Sequence, residues 1–336
     1  MRAATVTRFG GPEVLTLVEQ PDPAPGPGQV VVAVEVADTL WVETAVRSGA
    51  GQDFWPMRPP YVPGNGVAGR VAAVGGGVDR GWIGRRVAGH TGNEGGYADR
   101  AVIAADGLSA VPDGLELTVA AALLHDGPTV LALFDVTRVG REDTVLVVGA
   151  SGGLGILSVQ LGRARAARVV AVARGAKLDR VRECKPDAVV DSEQIDWVEQ
   201  ARSALGGGAD VVLDNIGGDL GEAAFALAAP GGRFSGHGTP SGRFAAVDEA
   251  EADRCGITVT GIERVQMSDA ELTRYTDQAF VEAAAGTIAP VIGQTFPLER
   301  VADAHVAIEG GGCSTRSSCR RRAPRPSSAS TSTGCC

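Results

Sequence analysis

The densest chemical signal lies at residues 144–155, where Val145, Leu146, Val147 and Val148 run into Gly149, Ala150, Ser151, Gly152, Gly153, Leu154 and Gly155. A short apolar strand that ends in glycines and passes into a helix at Ile156–Leu161 brings bare backbone amides to one point. The positive end of the helix reaches the same point, and together they suit a diphosphate. Side-chain bulk there would push the anion away, so glycine serves the chemistry. Ala150, Ser151, Gly152, Gly153 and Leu154 are the residues assigned to this contact. The spacing departs from the three-glycine G-x-G-x-x-G pattern, because Ala150 and Ser151 separate Gly149 from Gly152 and Gly153 follows directly. A plain glycine turn is therefore the alternative. The helix and second strand that follow favour a dinucleotide.

The second strand, Arg168–Ala173, carries no acid at its end. An acid there would take the free ribose hydroxyls of NAD, whereas Arg174 and Lys177 suit the extra phosphate of NADPH, with Lys177 slightly ahead. A solvated turn is the bland role for both, and Asp179 weakens the positive field. Two later turns would open on the same crevice. Asn215 follows the apolar run Val211–Asp214, where it either hydrogen-bonds the nicotinamide side of the cofactor or caps a loop. Gly236, His237 and Gly238 form the other turn, where glycines would bring backbone amides and the imidazole close to a ligand.

These residues require a doubly wound sheet. Strands are expected at Asp143–Val148, Arg168–Ala173, Ala188–Val190, Ala209–Asp214, Gly232–Phe234 and Ile257–Thr260. Helices between them, among them Asp196–Ala204 and Phe225–Ala228, argue for a mostly parallel sheet covered on both faces. Ahead of it, residues 1–120 read as strand-rich, with strands at Val14–Glu19, Gln29–Val36, Val67–Val74 and Arg86–Ala88 and a stiff proline-rich turn between Pro21 and Pro27. Thr118–Leu124 and Pro128–Asp135 read as two helical stretches. Ala270–Ala285 reads as a helix, Ile288–Gly293 as a strand and Ala302–Ile308 as a short helix, and this last group is expected to return to the first domain.

Composition agrees with a globular enzyme. The 336 residues are long for one core, so two domains are expected. Apolar residues make up 44% and charged residues 21%. A net charge of -9 offers no general attraction to nucleic acid or anionic lipid. No membrane span or secretory leader is expected, and a cytoplasmic location is the default. Cys184 and Cys255 are isolated, and Cys313, Cys319, Cys335 and Cys336 crowd the end without a histidine, which is neither a disulfide framework nor a zinc site. The stretch 311–336, rich in Ser, Thr, Arg and Pro, reads as a disordered tail.

Taken together, residues 1–310 resemble the medium-chain dehydrogenase/reductase superfamily, in its zinc-independent quinone oxidoreductase branch. The resemblance rests on residues 63–69 (PGNGVAG), the Val71–Val78 segment, residues 84–87 (GRRV), residues 95–98 (GGYA) and the Ala150–Gly155 turn. It implies an α/β chain with a GroES-like β-rich catalytic domain over 1–120 and 265–310 and a Rossmann-type doubly wound nucleotide-binding domain over 121–264, with the active cleft between them. It implies that Thr129 lies near the nicotinamide, that relatives reduce quinones or activated carbon–carbon double bonds, and that they often form homodimers. This chain departs from the pattern in places. Leu40 occupies the position of an expected asparagine, Glu43 retains an acid, and Ala45 stands where several relatives carry tyrosine. Trp41 reads as an aromatic wall or as core. Asn65 and Gly66 replace the histidine–glutamate pair of zinc enzymes, no cysteine precedes them, and no metal is expected.

The expected activity is NADPH-dependent reduction of a quinone or enone by direct hydride transfer. Thr129 would position the reactants, and His90 and His237 are the candidate hydrogen-bond or proton donors. Tyr97 reads as a structural turn residue. The competing readings are an enoyl-thioester reductase, an NADPH-binding regulatory protein with weak turnover and, more remotely, an RNA-binding scaffold, which the acidic body opposes.

Overall fold

In the computed structural model the first part of the chain runs β1 (Arg2–Val6), β2 (Leu15–Glu19), β3 (Gln29–Thr39), α1 (Trp41–Ser48), β4 (Gly66–Val74), β5 (Arg86–His90), β6 (Arg100–Ala104) and β7 (Leu108–Ala110). Helix α2 (Leu117–Thr137) then leads into β8 (Thr144–Val148), α3 (Gly153–Ala164), β9 (Arg168–Ala173), α4 (Leu178–Glu183), β10 (Ala188–Asp191), α5 (Trp197–Leu205) and β11 (Ala209–Asp214). The remainder is α6 (Gly218–Phe225), β12 (Ala228–Gly236), α7 (Glu249–Cys255), β13 (Thr258–Gly261), α8 (Asp269–Ala284), β14 (Ile292–Pro297), α9 (Val301–Glu309) and β15 (Arg316–Arg320). The structure describes every residue except Gly51, Asp53, Phe54, Asn93, 311–315 and 321–336, and the backbone alone for 316–320.

Two sheets carry the α/β architecture. One has six strands in the order β10-β9-β8-β11-β12-β13, and every pairing in it is parallel. Its strands are apolar on both sides. Val145, Val147, Val169, Ala171, Val211 and Leu213 enter one core cluster, while Leu146, Val148, Val170, Val172 and Val212 enter another on the opposite face. That alternation is the signature of a sheet covered by helices on both faces. The other sheet has seven strands on the path β14-β15-β3-β4-β5-β7, with β6 also pairing β3. Strands β14 and β15 come from the C-terminal part of the chain, so that part does return to the N-terminal sheet.

Several local expectations change. The two helical stretches before residue 137 are one continuous helix, α2, with Pro128 inside it. It is also long and apolar enough to cross a membrane, yet 78% of its most apolar window is buried inside the protein, as befits a core helix. Val36, Ala68 and Ala88 of the N-terminal sheet share a core cluster with Leu123, Val130 and Phe134 of α2 and with β8 and β9, so α2 fills the space between the sheets. Tertiary packing, not a bilayer, covers its apolar surface. Phe225 closes helix α6 and Ala228 already opens β12, where a helix over Phe225–Ala228 was expected. The strand expected at Ile288–Gly293 begins at Ile292.

The tail is the largest revision. Arg316–Arg320 forms strand β15, parallel to β14 and antiparallel to β3. Its polar sequence hid it, because a strand between two neighbours is held by backbone pairing that any residue except proline can make. The rest of the expected disordered tail lies outside the described residues.

Phe134 is fully buried at the junction of the two sheets, and the Arg165 guanidinium lies 5.3 Å from its ring centroid. Phe134→Ala removes the ring from a site that two sheets hold open. The expected loss is about 3–5 kcal/mol of unfolding free energy, measured by urea denaturation.

Candidate active site

The site sits where the parallel sheet reverses direction. The chain enters at β8, builds outward through β9 and β10, then returns to the other side of β8 with β11. Ligands bind outside the carboxyl ends of the strands at such a point. A cleft of about 1040 Å³ opens there, with the β8–α3 turn on one side and Thr39, Leu40, Trp41 and Val42 of the N-terminal domain on the other. Its volume lies at the upper end for ligand sites, enough for an extended cofactor and a further small molecule.

The β8–α3 turn has room for no side chain. A Cβ on Gly155 would fall 2.3 Å from the Gly149 carbonyl oxygen and 2.7 Å from Ala150 Cα, so the helix starts directly against the strand end. Gly152 caps α3 with no side-chain hydrogen bond, which leaves the helix's first amides bare toward the cleft. Ser151, Gly152, Gly153 and Leu154 line the cleft as expected. Ala150 does not. Its methyl is fully buried in the core and its amide donates to the Val172 carbonyl at 2.9 Å, so it shapes the turn from behind.

Arg174 and Lys177 follow β9 and both line the cleft. Ser192 and Glu193, from the turn after β10, stand beside them and had no signal in the sequence. Their strand is separated from β9 by a whole helix, and only the β9–β10 pairing brings them together.

Asn215 and His237 form one unit. Asp214 is fully buried, and its Oδ1 accepts from the amides of Ile216 and Gly217 at 2.9 Å each, which fixes the turn that carries Asn215. The Asn215 amide nitrogen donates to the Val148 carbonyl at 2.8 Å, leaving Oδ1 to accept. His237 Nε2 lies 3.0 Å from that oxygen. Its Nδ1 lies 3.1 Å from the Ser235 carbonyl oxygen and 3.2 Å from the Ser235 hydroxyl. Burial pushes the His237 imidazole down to about 4, against a backbone hydrogen bond with Ser235, so it is neutral. Gly238 lets the two turns touch, since a Cβ there would fall 1.9 Å from the Asn215 carbonyl carbon. Asn215, His237 and Gly238 line the cleft, whereas Gly236 is the last residue of β12 and spends its backbone on pairing with Asp214 and Gly261.

Two other expected residues make contacts of their own. The Thr129 hydroxyl folds back to the His125 carbonyl, one turn earlier in α2, at 2.7 Å. His90 lies edge-on to His125 with ring centroids 4.8 Å apart, and its Nδ1 is 3.4 Å from Asn65 Oδ1. Burial pushes His90 down to about 4 and keeps it neutral. Trp41 is 58% exposed and lines the cleft, so the wall role holds over the core role.

A buried polar chain lies under the α1 side of the cleft. Glu43 Oε2 accepts from the Tyr97 hydroxyl and from the Leu40 amide at 2.9 Å, and Oε1 accepts from the Asn65 amide at 3.1 Å. Tyr97, fully buried, also meets His305 Nε2 at 3.2 Å. Tyr97 is thus an anchor between the N-terminal domain and α9 rather than a turn residue alone. Arg47, 1% exposed, pairs with Glu309 of α9. Burial raises the Glu43 carboxyl from about 4.5 to about 7, against the hydrogen bonds from Tyr97, Leu40 and Asn65. Burial and the Arg47 charge hold His305 down at about 3. Among the described residues no group of three His, Cys, Asp or Glu side chains is placed to hold a metal ion.

Comparison with known proteins agrees with this geometry. Residues 26–113 match the alcohol dehydrogenase GroES-like domain, and residues 185–313 match the zinc-binding dehydrogenase family. The quinone oxidoreductase of Mus musculus is 31% identical over 329 residues, covering 94% of this chain and 96% of that protein. The chain belongs to the medium-chain dehydrogenase/reductase superfamily. The quinone oxidoreductase of Rattus norvegicus is 32% identical over 92% of this chain and 94% of its own length. The Escherichia coli quinone oxidoreductase, solved in complex with NADPH, superposes with a TM-score of 0.85 at 25% identity, over 95% of this chain and all of that one (100%). A mycobacterial protein solved with NADPH gives a TM-score of 0.84 at 28% identity, over 95% of this chain and 100% of its own. The chain is thus a quinone oxidoreductase-like member with a GroES-like N-terminal domain and a Rossmann-type sheet.

Two measurements test the site. Lys177→Ala is expected to weaken NADPH binding by roughly tenfold, the scale of one charge-assisted contact, with little effect on NADH. Equal losses for both cofactors, measured by fluorescence titration, would remove Lys177 from the phosphate contact. The second is a pH profile. A carboxyl whose folded value is raised adds stability at low pH and loses it as pH rises, here between about 4.5 and about 7. Wild type should therefore lose thermal stability relative to Glu43→Gln across that interval, and parallel melting profiles would contradict the assignment.

Proposed function

We propose that this chain is an NADPH-dependent, zinc-independent reductase of a quinone or an activated enone. One observation carries the reading: the uncapped start of α3, the cationic pair Arg174 and Lys177, and the Asn215–His237 unit all open on one cleft that Leu40, Trp41 and Val42 also line. The turn fits a dinucleotide because a Cβ on Gly155 would occupy the space the backbone needs there. The first amides of α3 would hold the diphosphate, and Lys177 and Arg174 the additional phosphate. When bound, the reduced nicotinamide supplies a hydride.

The chain's own residues do the rest. His237 acts through Asn215, holding its amide in one orientation toward the cleft, and is a positioning residue rather than a proton donor. Leu40, Trp41 and Val42 exclude water from the acceptor side and strengthen electrostatic interactions there. The Thr129 hydroxyl is spent on the His125 carbonyl and His90 is neutral, so the proton that completes reduction comes from solvent. The donor set supports zinc independence, because Asn65 and Gly66 occupy the positions where a zinc enzyme would place a ligand pair. A cytoplasmic homodimer without a nucleic-acid or membrane partner fits the acidic charge.

The test is NADPH oxidation by the purified chain with a panel of quinones, enones and enoyl thioesters. Turnover with quinones or enones is expected. Turnover confined to thioesters would move the substrate class. Tight NADPH binding without oxidation by any acceptor would replace the enzyme with a cofactor-binding regulator.

A further inference from the structure

An acid stands at the end of the cleft that carries its cations. Arg174 and Lys177, from the turn after β9, and Glu193, from the turn after β10, all line the cleft. The two turns are stitched together. The Ser192 amide and hydroxyl both donate to the Ala173 carbonyl, at 2.8 and 3.3 Å. Asp191 Oδ1 accepts from the amides of Gly175 at 3.3 Å and Glu193 at 3.0 Å. These bonds, that of the Glu193 amide foremost, hold the Asp191 carboxyl below its usual range.

The stitching sets the Glu193 carboxylate over Gly175, which lies between the two cations in the chain. A Cβ on Gly175 would lie 3.2 Å from Glu193 Oε2, and the backbone there has a φ of +57°, so glycine leaves the approach open. Asp179, the acid close to Lys177 in sequence, is drawn off to Arg182 at 2.6 Å. Glu193 is therefore the acid that meets the cation pair. Among the described residues Arg174, Lys177 and Glu193 make no ion pair, and the Glu193 carboxylate accepts no hydrogen bond. In a doubly wound fold the adenosine ribose lies at the end of the second strand. An acid there accepts from its free hydroxyls, and a cation there takes an added phosphate. This chain brings both, the cations on β9 and the acid on β10.

We propose that Glu193 is a specificity-determining residue of the cofactor cleft. Its carboxylate accepts a hydrogen bond from the free ribose of NADH and repels the additional phosphate that Lys177 and Arg174 attract. The chain therefore takes both cofactors, and its preference for NADPH is narrower than the two cations alone would set. The inference rests on the dinucleotide reading above and extends it to the choice between the two forms. A phosphate monoester carries about two negative charges near neutral pH, so an unpaired carboxylate at close range opposes it even through water.

The test uses Glu193→Gln, which keeps the shape and removes the charge. Dissociation constants for NADPH and NADH are measured by fluorescence titration of wild type and variant at low and high salt, with melting temperatures alongside. Glu193 is exposed, so the variant is expected to melt with wild type. NADPH should bind roughly fivefold more tightly and NADH roughly twofold more weakly, moving the ratio of affinities about tenfold toward NADPH. The gain for NADPH should shrink at high salt, because the repulsion is screened. A ratio that moves by less than about threefold, or toward NADH, would overturn the proposal. So would a gain for NADPH that high salt leaves intact. In either case the dinucleotide reading stands, since both cofactors bind. A wild type that binds neither cofactor would overturn that reading, and the role of Glu193 with it.

Discussion

The arrangement depends on one steric constraint: α3 begins so close to the end of β8 that no side chain fits between them. Gly155 meets the Gly149 carbonyl and the Ala150 backbone, and neither can retreat without breaking the strand or the helix. That contact points the helix's bare amides outward at the place where the sheet reverses direction. The remaining parts of the cofactor surface are placed relative to it, because β9 and β11 flank β8 in register and end at the same level.

A second constraint joins the domains. Helix α2 shares one core cluster with strands of both sheets, so the cleft walls are held by packing rather than by a hinge alone. Near the cleft, α1 is tied to α9 through Arg47 and Glu309, and to the 95–98 turn through Glu43 and Tyr97. These polar groups are nearly all buried, where a lost partner costs more than the hydrogen bond gains. The acceptor side of the cleft is therefore as firmly positioned as the cofactor side.

Much of the fold was legible because it is written in local periodicity. Short aliphatic runs that alternate between two covered faces identified the strands from β8 to β13, and the glycines marked the turn into α3. What was missed shares a different property. Helix α1 follows Leu40, which offers no capping side chain, and its capping carboxylate comes from Glu43. Strand β15 is polar and is held by its neighbours' backbones. The expected break near Pro128 failed because the burial of α2 outweighs the lost hydrogen bond of one proline.

The sequence by itself determined the class of fold, the glycine turn after β8 and the cationic pair after β9, since each depends on residues close together in the chain. Tertiary structure alone decided which of the candidates face one another. It turned Ala150 and Gly236 into the scaffold, bonded the Thr129 hydroxyl to the His125 carbonyl, set His90 against His125, and joined His237 to Asn215. It also gathered Glu43, Tyr97 and His305 from three distant segments. Burial and partner choice depend on contacts between residues far apart in the chain, and a local pattern carries no record of them.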